Sequence, residues 1–362
     1  MSIVTRFEID YTQFLSPQGE ATQALPEFAL DPSVLVSWYR AMVLTRLFDA
    51  KAIALQRTGK LGTFASALGQ EAIGVGLATA MRPEDVLAPS YRDHAAQFVR
   101  GVTMVESLRY WSGDERGSDF AVPRHDFPIC VPIGTQVCHA VGAAYAFKLR
   151  REPRVAVCIC GDGASSKGDF YESMNFAGVW QAPLVMVINN NQWAISVPRS
   201  IQTAAQTLAQ KAIAAGIEGR QVDGNDIVAM HHVARQAIDK ARAGAGPTMI
   251  EALSYRLGDH TTADDATRYR DAETVQQQWA FEPVLRLRNY LVRLGAWGKE
   301  REEQLTRECT ESVNQAVEAY LQTPAAGPGA MFDHLYARLP EAMQRQRAMA
   351  VELSRSGGGQ HG

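Results

Sequence analysis

The chain has 362 residues, of which 46% are hydrophobic and 21% are charged, and its formal net charge is −3. These fractions are typical of a globular protein and exclude a disordered or fibrous one. The small net charge argues against general nucleic-acid binding, which needs a basic surface. No apolar run approaches the ~20 residues of a membrane-spanning helix.

The N-terminal region is predicted to be an extended arm followed by a long helix. Residues 1–30 show no sustained periodicity and lack the apolar segment of a signal peptide. Asp31-Pro32 has the form of an N-cap followed by proline at the first helical position. This pattern predicts a helix that continues to about Gly59, and a second helix is expected over 70–81.

The middle of the chain alternates short apolar stretches, typical of buried strands, with amphipathic stretches, typical of helices. Strands are predicted over 155–160, 183–188, 219–222 and 248–255, and helices from 169 onward, over 204–215 and over 227–241. Such alternation predicts an α/β fold with a doubly wound parallel sheet flanked by helices. Asp169 and Glu172 have the spacing of a capping box that opens a helix.

The C-terminal part is predicted to be helical. From about Val275 the sequence becomes charged with helical periodicity, with a break at 324–328 and a glycine-rich end. We therefore expect four parts, listed here in chain order: an N-terminal arm over 1–30, an α/β domain over 31–275, a C-terminal helical extension over 276–355 and a flexible tail over 356–362.

The five cysteines are too few and too odd in number for a disulfide framework, so a reducing cytoplasm is the expected location. Cys158 and Cys160 are interpreted as buried thiols on opposite faces of a strand rather than as metal ligands. His231 and His232 are neighbours on a predicted helix, where their side chains diverge, so we expect no metal site there.

Two polar motifs follow predicted buried strands. Gly161-Asp162-Gly163 follows one strand, and Asn190-Asn191 follows the next. Because the carboxyl ends of parallel strands meet at one edge of a sheet, these motifs should lie together where ligands bind. Glycine lets the backbone approach a diphosphate closely, and carboxylate and amide oxygens suit Mg²⁺. Taken alone, Gly-Asp-Gly is also a common turn.

A histidine follows a third predicted strand. His260 lies just after the strand ending near Tyr255, at the same predicted edge, where it could donate a proton or bind phosphate. A lone histidine in a loop is often incidental. Nucleotide motifs are incomplete, because Asp169 stands where a P-loop requires lysine and no G-x-G-x-x-G follows a strand.

The spacing of these motifs resembles a known fingerprint. Gly161-Asp162-Gly163, 26 residues and then Asn190-Asn191 is similar to the thiamin diphosphate fingerprint. With Gly168–Glu172 and Ala194–Ser196, the chain resembles, over about residues 30–350, the alpha subunit of the two-chain first component of 2-oxo acid dehydrogenase complexes. The resemblance is greatest to bacterial pyruvate dehydrogenases. It implies the thiamin diphosphate-binding fold and an oxidoreductase that decarboxylates a 2-oxo acid and reductively acylates a lipoyl group.

The resemblance also implies thiamin diphosphate and Mg²⁺ as cofactors, together with the residues that bind them. The implied metal ligands are Asp162, the Asn191 side chain and the Trp193 carbonyl. The implied cofactor contacts are Tyr91, Arg92, Ile133, Gly161, Asp162, Gly163, Ala164, Asn191 and His260. The implied catalytic residues are His260, Arg256 and Tyr269, with Asp264 and Arg270 helping to order their loop. Phe64 is placed near the substrate pocket.

In single-chain relatives, a second α/β domain supplies the glutamate that activates the cofactor ring. This chain is long enough for only one such domain with its helical extensions. The resemblance therefore implies a beta subunit in an obligate α2β2 heterotetramer, with the cofactor between the two kinds of chain. A lipoyl domain of the acyltransferase component is the other implied partner.

Different segments of the chain favour different substrates. Residues 57–62 and 204–224 favour pyruvate, which we expect, while the length of 260–270 is closer to that in enzymes for branched-chain 2-oxo acids such as 3-methyl-2-oxobutanoate. A non-catalytic subunit of the same fold is the alternative of a different class.

Overall fold

This computed structural model of the chain describes residues 2–333 and 335–356, so most of the predicted tail, 357–362, lies outside the described residues. The contacts divide the chain into two compact units, Met1–Val317 and Glu318–Gly362. The arm, domain and extension boundaries expected from the sequence stay predictions. None of the helices among the described residues combines the length and the apolar character needed to cross a membrane.

A six-stranded parallel sheet forms the centre of the first unit. Its strands are β1 (Tyr11–Thr12), β2 (Val86–Ala88), β3 (Ala156–Gly161), β4 (Leu184–Asn190), β7 (Glu218–Asp223) and β8 (Thr248–Leu253). Their order in space is β1-β7-β8-β4-β3-β2, and every neighbouring pair is parallel. A separate antiparallel pair joins β5 (Trp193–Ala194) to β6 (Val197–Pro198). The predicted parallel α/β fold is confirmed.

Helices account for most of the remaining regular structure. In the first unit they are α1 (Pro32–Arg57), α2 (Glu71–Ala80), α3 (His94–Arg100), α4 (Met104–Trp111), α5 (Thr135–Arg150), α6 (Gly168–Trp180), α7 (Arg199–Gln202), α8 (Lys211–Ala214), α9 (Ile227–Arg242), α10 (Ala272–Gln278) and α11 (Pro283–Arg293). The long α12 (Lys299–Leu321) follows, and α13 (Ala330–Asp333) and α14 (Glu341–Ser356) lie in the second unit.

The helix starts follow the capping prediction at α1 but not at α6. Asp31 caps α1 by accepting a hydrogen bond of 2.8 Å from the backbone N–H of Ser33. The capping box predicted at Asp169 is wrong, because extended Lys167 precedes α6 and provides no side-chain cap. Asp169 lies inside the first turn and pairs with Lys167 at 3.2 Å. A negative charge at this position still stabilises the start of the helix.

The helix predicted over 204–215 is largely wrong, because only Lys211–Ala214 is helical. Side chains replace helical hydrogen bonds in the preceding loop. The buried Glu251 Oε2 accepts from Ala209 N at 3.0 Å, and the Arg199 guanidinium donates to the Thr203 carbonyl at 3.3 Å. Backbone groups satisfied in this way do not need a helix.

The side chains of β3 alternate between two apolar cores. Val157 and Ile159 belong to one core, whereas Cys158 and Cys160 both belong to the other. The prediction that the two cysteines face opposite sides is wrong, because residues two apart on a strand share a face. Burial raises the pKa of Cys160 to about 12, so this thiol stays protonated at neutral pH.

The N-terminal arm is built into the sheet and its core. β1 adds to β7 as an edge strand. Asp226, the N-cap of α9, also accepts hydrogen bonds of 2.7 Å from the backbone N–H groups of Phe14 and Leu15. Leu15 is fully buried. The predicted extended arm therefore packs against the sheet through backbone pairing that hydrophobic periodicity does not reveal.

The register of the paired strands brings the two polar motifs to one edge of the sheet. Gly161 at the end of β3 lies beside Asn189 in β4, and Asn190 lies beside Leu253 in β8. The segments that leave these strands therefore begin side by side, as expected for the carboxyl edge of a parallel sheet.

Candidate active site

A cavity of about 250 Å³ lies at the carboxyl edge of β3 and β4. Ten residues that the sequence analysis singled out line this cavity: Tyr91, Arg92, Ile133, Gly161, Asp162, Gly163, Ala164, Asn191, Trp193 and His260. Three others, Arg256, Tyr269 and Phe64, do not line it. The cavity rim is open to solvent at Ile133 and Ile195, which are 44% and 56% exposed.

The wall between β3 and the β5–β6 pair requires glycine at position 163. A Cβ at Gly163 would lie 2.6 Å from the Cβ of Ala194, which is closer than two carbon atoms can pack. A Cβ at Gly161 would meet nothing within 4 Å. The two glycines of the motif therefore have different roles, since only Gly163 allows a close approach of protein segments.

This difference predicts unequal effects of alanine at the two positions. Gly163→Ala should lower the free energy of unfolding by about 1–3 kcal/mol, because Ala194 must move to relieve the overlap. Gly161→Ala should cause no loss of stability and serves as the control. Thermal unfolding of both variants measures the effect, and equal unfolding temperatures would contradict the steric argument.

Asp162 places a carboxylate in the cavity wall. Its side chain is almost fully buried, and its Oδ2 accepts a hydrogen bond of 2.6 Å from Gln202 Nε2. Burial raises the pKa of Asp162, and the hydrogen bond from Gln202 opposes that rise. A cation bound in the cavity would favour the charged carboxylate.

Any metal at Asp162 would need additional, uncharged ligands. No group of three or more His, Cys, Asp or Glu side chains able to hold a metal occurs within residues 2–333 and 335–356. Asn191 supplies an amide whose Oδ1 accepts from Trp193 N at 3.2 Å. The Trp193 carbonyl accepts from Arg256 Nη1 at 3.4 Å. Each of these oxygens keeps a second lone pair, so both remain able to bind a hard cation.

Arg92 brings a positive charge to the cavity. Among the described residues that line the cavity, it is the one lysine or arginine, and it is 6% exposed. Nη1 donates to the Ser66 carbonyl at 2.6 Å, and Nη2 donates to the His260 carbonyl at 2.8 Å. A guanidinium fixed in this way is suited to bind phosphate oxygens.

His260 is a neutral histidine in this environment. Burial and the charges of Arg92 and Arg256 lower the pKa of His260 to about 4. Arg92 Nη2 lies 3.3 Å from Nδ1 of His260. Because arginine can only donate, Nδ1 acts as the acceptor, and the proton of the neutral ring is on Nε2. His260 can therefore offer an N–H donor at neutral pH.

A hydrogen-bonded group behind the cavity wall orders the His260 loop. Asp264 accepts from the backbone N–H of His260 at 2.9 Å and from the Tyr269 hydroxyl. Arg256 Nη2 donates to the Tyr269 hydroxyl at 2.8 Å and to the Ile195 carbonyl at 2.7 Å. The contacts of Arg256 and Tyr269 are those of positioning residues, and their catalytic role stays a prediction.

Phe64 lies in an aromatic cluster next to the cavity. Its fully buried ring stacks on His94 at 5.2 Å between centroids and meets the edge of Trp111. Its backbone N–H donates to the Thr262 hydroxyl at 3.0 Å. The side chain of Phe64 is enclosed within this chain and does not reach the cavity. Its place near a substrate pocket stays a prediction.

His94 in the same cluster makes stability depend on pH. Its Nε2 pairs with the Ala65 carbonyl at 3.0 Å, and burial lowers its pKa to about 4, below the ordinary value of roughly 6.5. The unfolded chain therefore binds a proton first as the pH falls. Between about pH 6.5 and 5, protonation of His94 in the unfolded chain should lower the free energy of unfolding of the wild type by on the order of 2 kcal/mol. His94→Gln should not show this decrease. Urea unfolding at both pH values measures this loss of stability, with His125→Gln as the control because His125 is exposed. Parallel pH profiles for His94→Gln and the wild type would contradict the argument.

Comparison with known proteins agrees with this geometry. Residues 39–328 match the family described as dehydrogenase E1 component. The chain belongs to the dehydrogenase E1 component family. It is 40% identical to the 3-methyl-2-oxobutanoate dehydrogenase subunit alpha of Mycobacterium tuberculosis, over 96% of each chain. It is 37% identical to the pyruvate dehydrogenase E1 component subunit alpha of Staphylococcus aureus, over 94% of this chain and 93% of that one.

The E1 family membership confirms the resemblance to alpha subunits of 2-oxo acid dehydrogenases, which depend on thiamin diphosphate. The cavity fits such a ligand. It combines the Arg92 cation, the Asp162 carboxylate and two buried amide atoms, Gln70 Nε2 and Gln136 Oε1, that have no hydrogen-bond partner among the described residues. Unpaired polar atoms in a cavity wall are expected where a polar ligand completes the hydrogen bonds.

Several polar residues of this E1 site carry no signal in the sequence. Gln70, Gln136 and Asn189 line the cavity, and Gln202 reaches Asp162 from α7. Gln70 directly precedes α2, and Gln136 lies in the first turn of α5. Uncharged amides at helix starts carry no distinctive pattern, so only their neighbours in space reveal them.

Proposed function

We propose that the chain is the alpha subunit of an α2β2 2-oxo acid dehydrogenase and binds thiamin diphosphate through Mg²⁺ in the described cavity. The observation that supports this most directly is that Asp162, Asn191, Arg92 and His260 line a single cavity in a chain of this family. The reaction is the oxidative decarboxylation of a 2-oxo acid with reductive acylation of a lipoyl group. Bound thiamin diphosphate supplies the nucleophile and the electron sink for that reaction.

Different residues of this chain would bind the metal ion and the diphosphate. Asp162, the Asn191 amide and the Trp193 carbonyl would hold Mg²⁺, whose remaining ligands would be oxygens of the cofactor and water. Arg92 would neutralise the diphosphate, and Gly161, Gly163 and Ala164 would let it approach the backbone. Tyr91 and Ile133 would contact the cofactor from the rest of the cavity wall.

His260 would act as a positioned N–H donor. Its ring is neutral, and its loop is held by Asp264. A neutral donor next to Arg92 adds a second hydrogen bond toward an anion without a further charge to be compensated. We also propose that this N–H donates a hydrogen bond that assists the transfer of the acyl group to the lipoyl sulfur.

A second chain is proposed to close the site. Large apolar side chains on α5 and α6 are exposed, including Leu149 at 66%, Phe176 at 46% and Val179 at 71%. Both helices begin just after segments that line the cavity. Exposed apolar surface of this kind is typical of a protein–protein interface. We assign it to the beta subunit, and the lipoyl domain of an acyltransferase would approach the assembled site.

The substrate is proposed to be a small 2-oxo acid. Residues 57–62 and 204–224 favour pyruvate, whereas the 40% identity to a branched-chain enzyme exceeds the 37% identity to a pyruvate enzyme. One methylene changes binding by only ~1–3 kcal/mol, so a few side chains decide this choice. Pyruvate is the candidate that we carry forward, with 3-methyl-2-oxobutanoate as the second. The cytoplasmic location stays a prediction.

The test is the activity of the chain co-purified with its beta subunit. Decarboxylation with an artificial electron acceptor should require both thiamin diphosphate and Mg²⁺. The ratio of kcat/KM for pyruvate to that for 3-methyl-2-oxobutanoate then identifies the substrate. Activity that persists without the cofactor, or no activity with either acid, would contradict the proposal.

A further inference from the structure

Gln70 is a buried residue of the cavity wall that has no role in the proposed binding of the cofactor. Its side chain is 3% exposed and lines the cavity, and its Nε2 has no hydrogen-bond partner among the described residues. Leaving a buried amide donor unpaired costs free energy, so such a group in a cavity wall indicates a ligand acceptor.

A series of hydrogen bonds fixes which end of the Gln70 amide is free. The backbone N–H of Trp193 can only donate, so Asn191 must present Oδ1 to it, at 3.2 Å. Asn191 Nδ2 then donates to Gln70 Oε1 at 3.3 Å. Asn189 Nδ2 donates to the same oxygen at 2.5 Å, and its own Oδ1 accepts from Ser254 Oγ at 2.8 Å. Both asparagines therefore occupy the carbonyl end of Gln70 and leave Nε2 as the free donor.

This arrangement has two consequences for the site. By accepting from Nδ2 of Asn191, Gln70 prevents that amide from turning over, so Oδ1 keeps the orientation needed for a metal ligand. Gln70 also contacts Asn191 directly, which places its free Nε2 at the metal end of the cavity. Acceptors expected at that end are the oxygens of the diphosphate, since Asp162 and Asn191 are the proposed metal ligands there.

We propose that Gln70 orients the Asn191 amide and donates a hydrogen bond from Nε2 to an oxygen of the bound diphosphate. This inference rests on the proposed function, since it takes the cavity to bind thiamin diphosphate with a divalent cation. Gln70 completes the anion site together with Arg92, which supplies the charge while Gln70 supplies a neutral donor.

Two substitutions separate the two roles in the co-purified two-chain enzyme. Gln70→Glu keeps an acceptor for both asparagines but removes the donor and adds a negative charge. Gln70→Met removes donor and acceptor together. The measurements are the Kd of thiamin diphosphate at saturating Mn²⁺, the Kd of Mn²⁺ by electron paramagnetic resonance at saturating thiamin diphosphate, and the Kd of inorganic pyrophosphate in competition.

Gln70→Glu should weaken the binding of thiamin diphosphate and of pyrophosphate by a similar factor of about ten or more, because a donor to a charged acceptor is lost and a negative charge is added. Gln70→Met loses the same donor without the charge and should also weaken the binding of both. Gln70→Glu should not weaken the binding of Mn²⁺, because Asn191 stays oriented and the added carboxylate lies at the metal end of the cavity. Gln70→Met should weaken Mn²⁺ by about ten- to a hundredfold, the usual effect of losing a residue that orients a ligand. Gln13→Met is the control, since it removes an amide hydrogen bond of 2.7 Å to Asp223 outside the cavity.

The outcomes distinguish this inference from the proposed function. Variants that bind both ligands like the wild type, even with a lower unfolding temperature, would show a structural role only and overturn the inference. Unchanged pyrophosphate binding in Gln70→Met at saturating Mn²⁺ would overturn the contact with the diphosphate. If the wild-type enzyme itself bound no thiamin diphosphate in the presence of Mn²⁺, both the proposed function and this inference would fail.

Discussion

Replacing Asp162 by alanine is expected to lower the rate of cofactor-dependent decarboxylation by at least about a thousandfold. Asp162 is the one carboxylate among the described residues that line the cavity, so the variant leaves only uncharged ligands for the metal. A metal that bridges to a diphosphate contributes several kcal/mol, and each 1.36 kcal/mol corresponds to tenfold in rate or affinity. Initial rates of the co-purified enzyme and calorimetric titration with thiamin diphosphate and Mg²⁺ measure the two effects.

Asp169→Ala provides the matched control for this experiment. Asp169 lies a few residues farther along the chain, but its side chain is about half exposed, pairs with Lys167 and is absent from the cavity wall. Its replacement should leave both rate and affinity near the wild-type values. An Asp162→Ala enzyme with wild-type activity would instead support the alternative of a structural subunit that keeps the fold without the chemistry.

The sequence predicted the part of the site that follows directly from strand order. Asp162 and Asn191 directly follow β3 and β4, which are hydrogen-bonded neighbours, so a parallel sheet must bring them together. His260 was a candidate because it follows a third predicted strand, whereas its role and the choice of Arg92 came from the family resemblance. The structure explains their pairing through a hydrogen bond from Arg92 to the His260 carbonyl, which joins segments 168 positions apart.

Two physical causes account for several of the differences between the predicted and the observed elements. β2 has three residues and α3 seven, too few to establish a period. The loop before α8 is held by Glu251 from another strand rather than by its own helical bonds. The arm depends in the same way on Asp226, which is remote in sequence. Local patterns cannot report hydrogen bonds made by distant side chains.

Replacing His260 by alanine is expected to lower kcat for acyl transfer to the lipoyl group by about 10²–10³, the usual contribution of one positioned hydrogen-bond donor to a charge that develops in the reaction. The loss should be smaller in the assay with an artificial electron acceptor, which bypasses the lipoyl sulfur. His260→Gln should recover part of the lost rate, because its amide can still donate a hydrogen bond. The measurement compares both assays for each variant in the assembled complex, with His232→Gln as a control, since His232 packs against Phe14 outside the cavity.

The pH dependence of the wild-type enzyme provides an independent check on this role. Burial and the two neighbouring arginines lower the pKa of His260 to about 4, so the ring stays neutral from about pH 5.5 to 8. In the chain without bound diphosphate, the imidazole of His260 should therefore titrate only as the pH falls toward 4, with no transition near 6.5 when its ring protons are followed by nuclear magnetic resonance. A transition near 6.5 that is absent from His260→Gln would mean that the ring titrates as an exposed histidine does, and it would contradict the Arg92 contact that makes Nδ1 the acceptor.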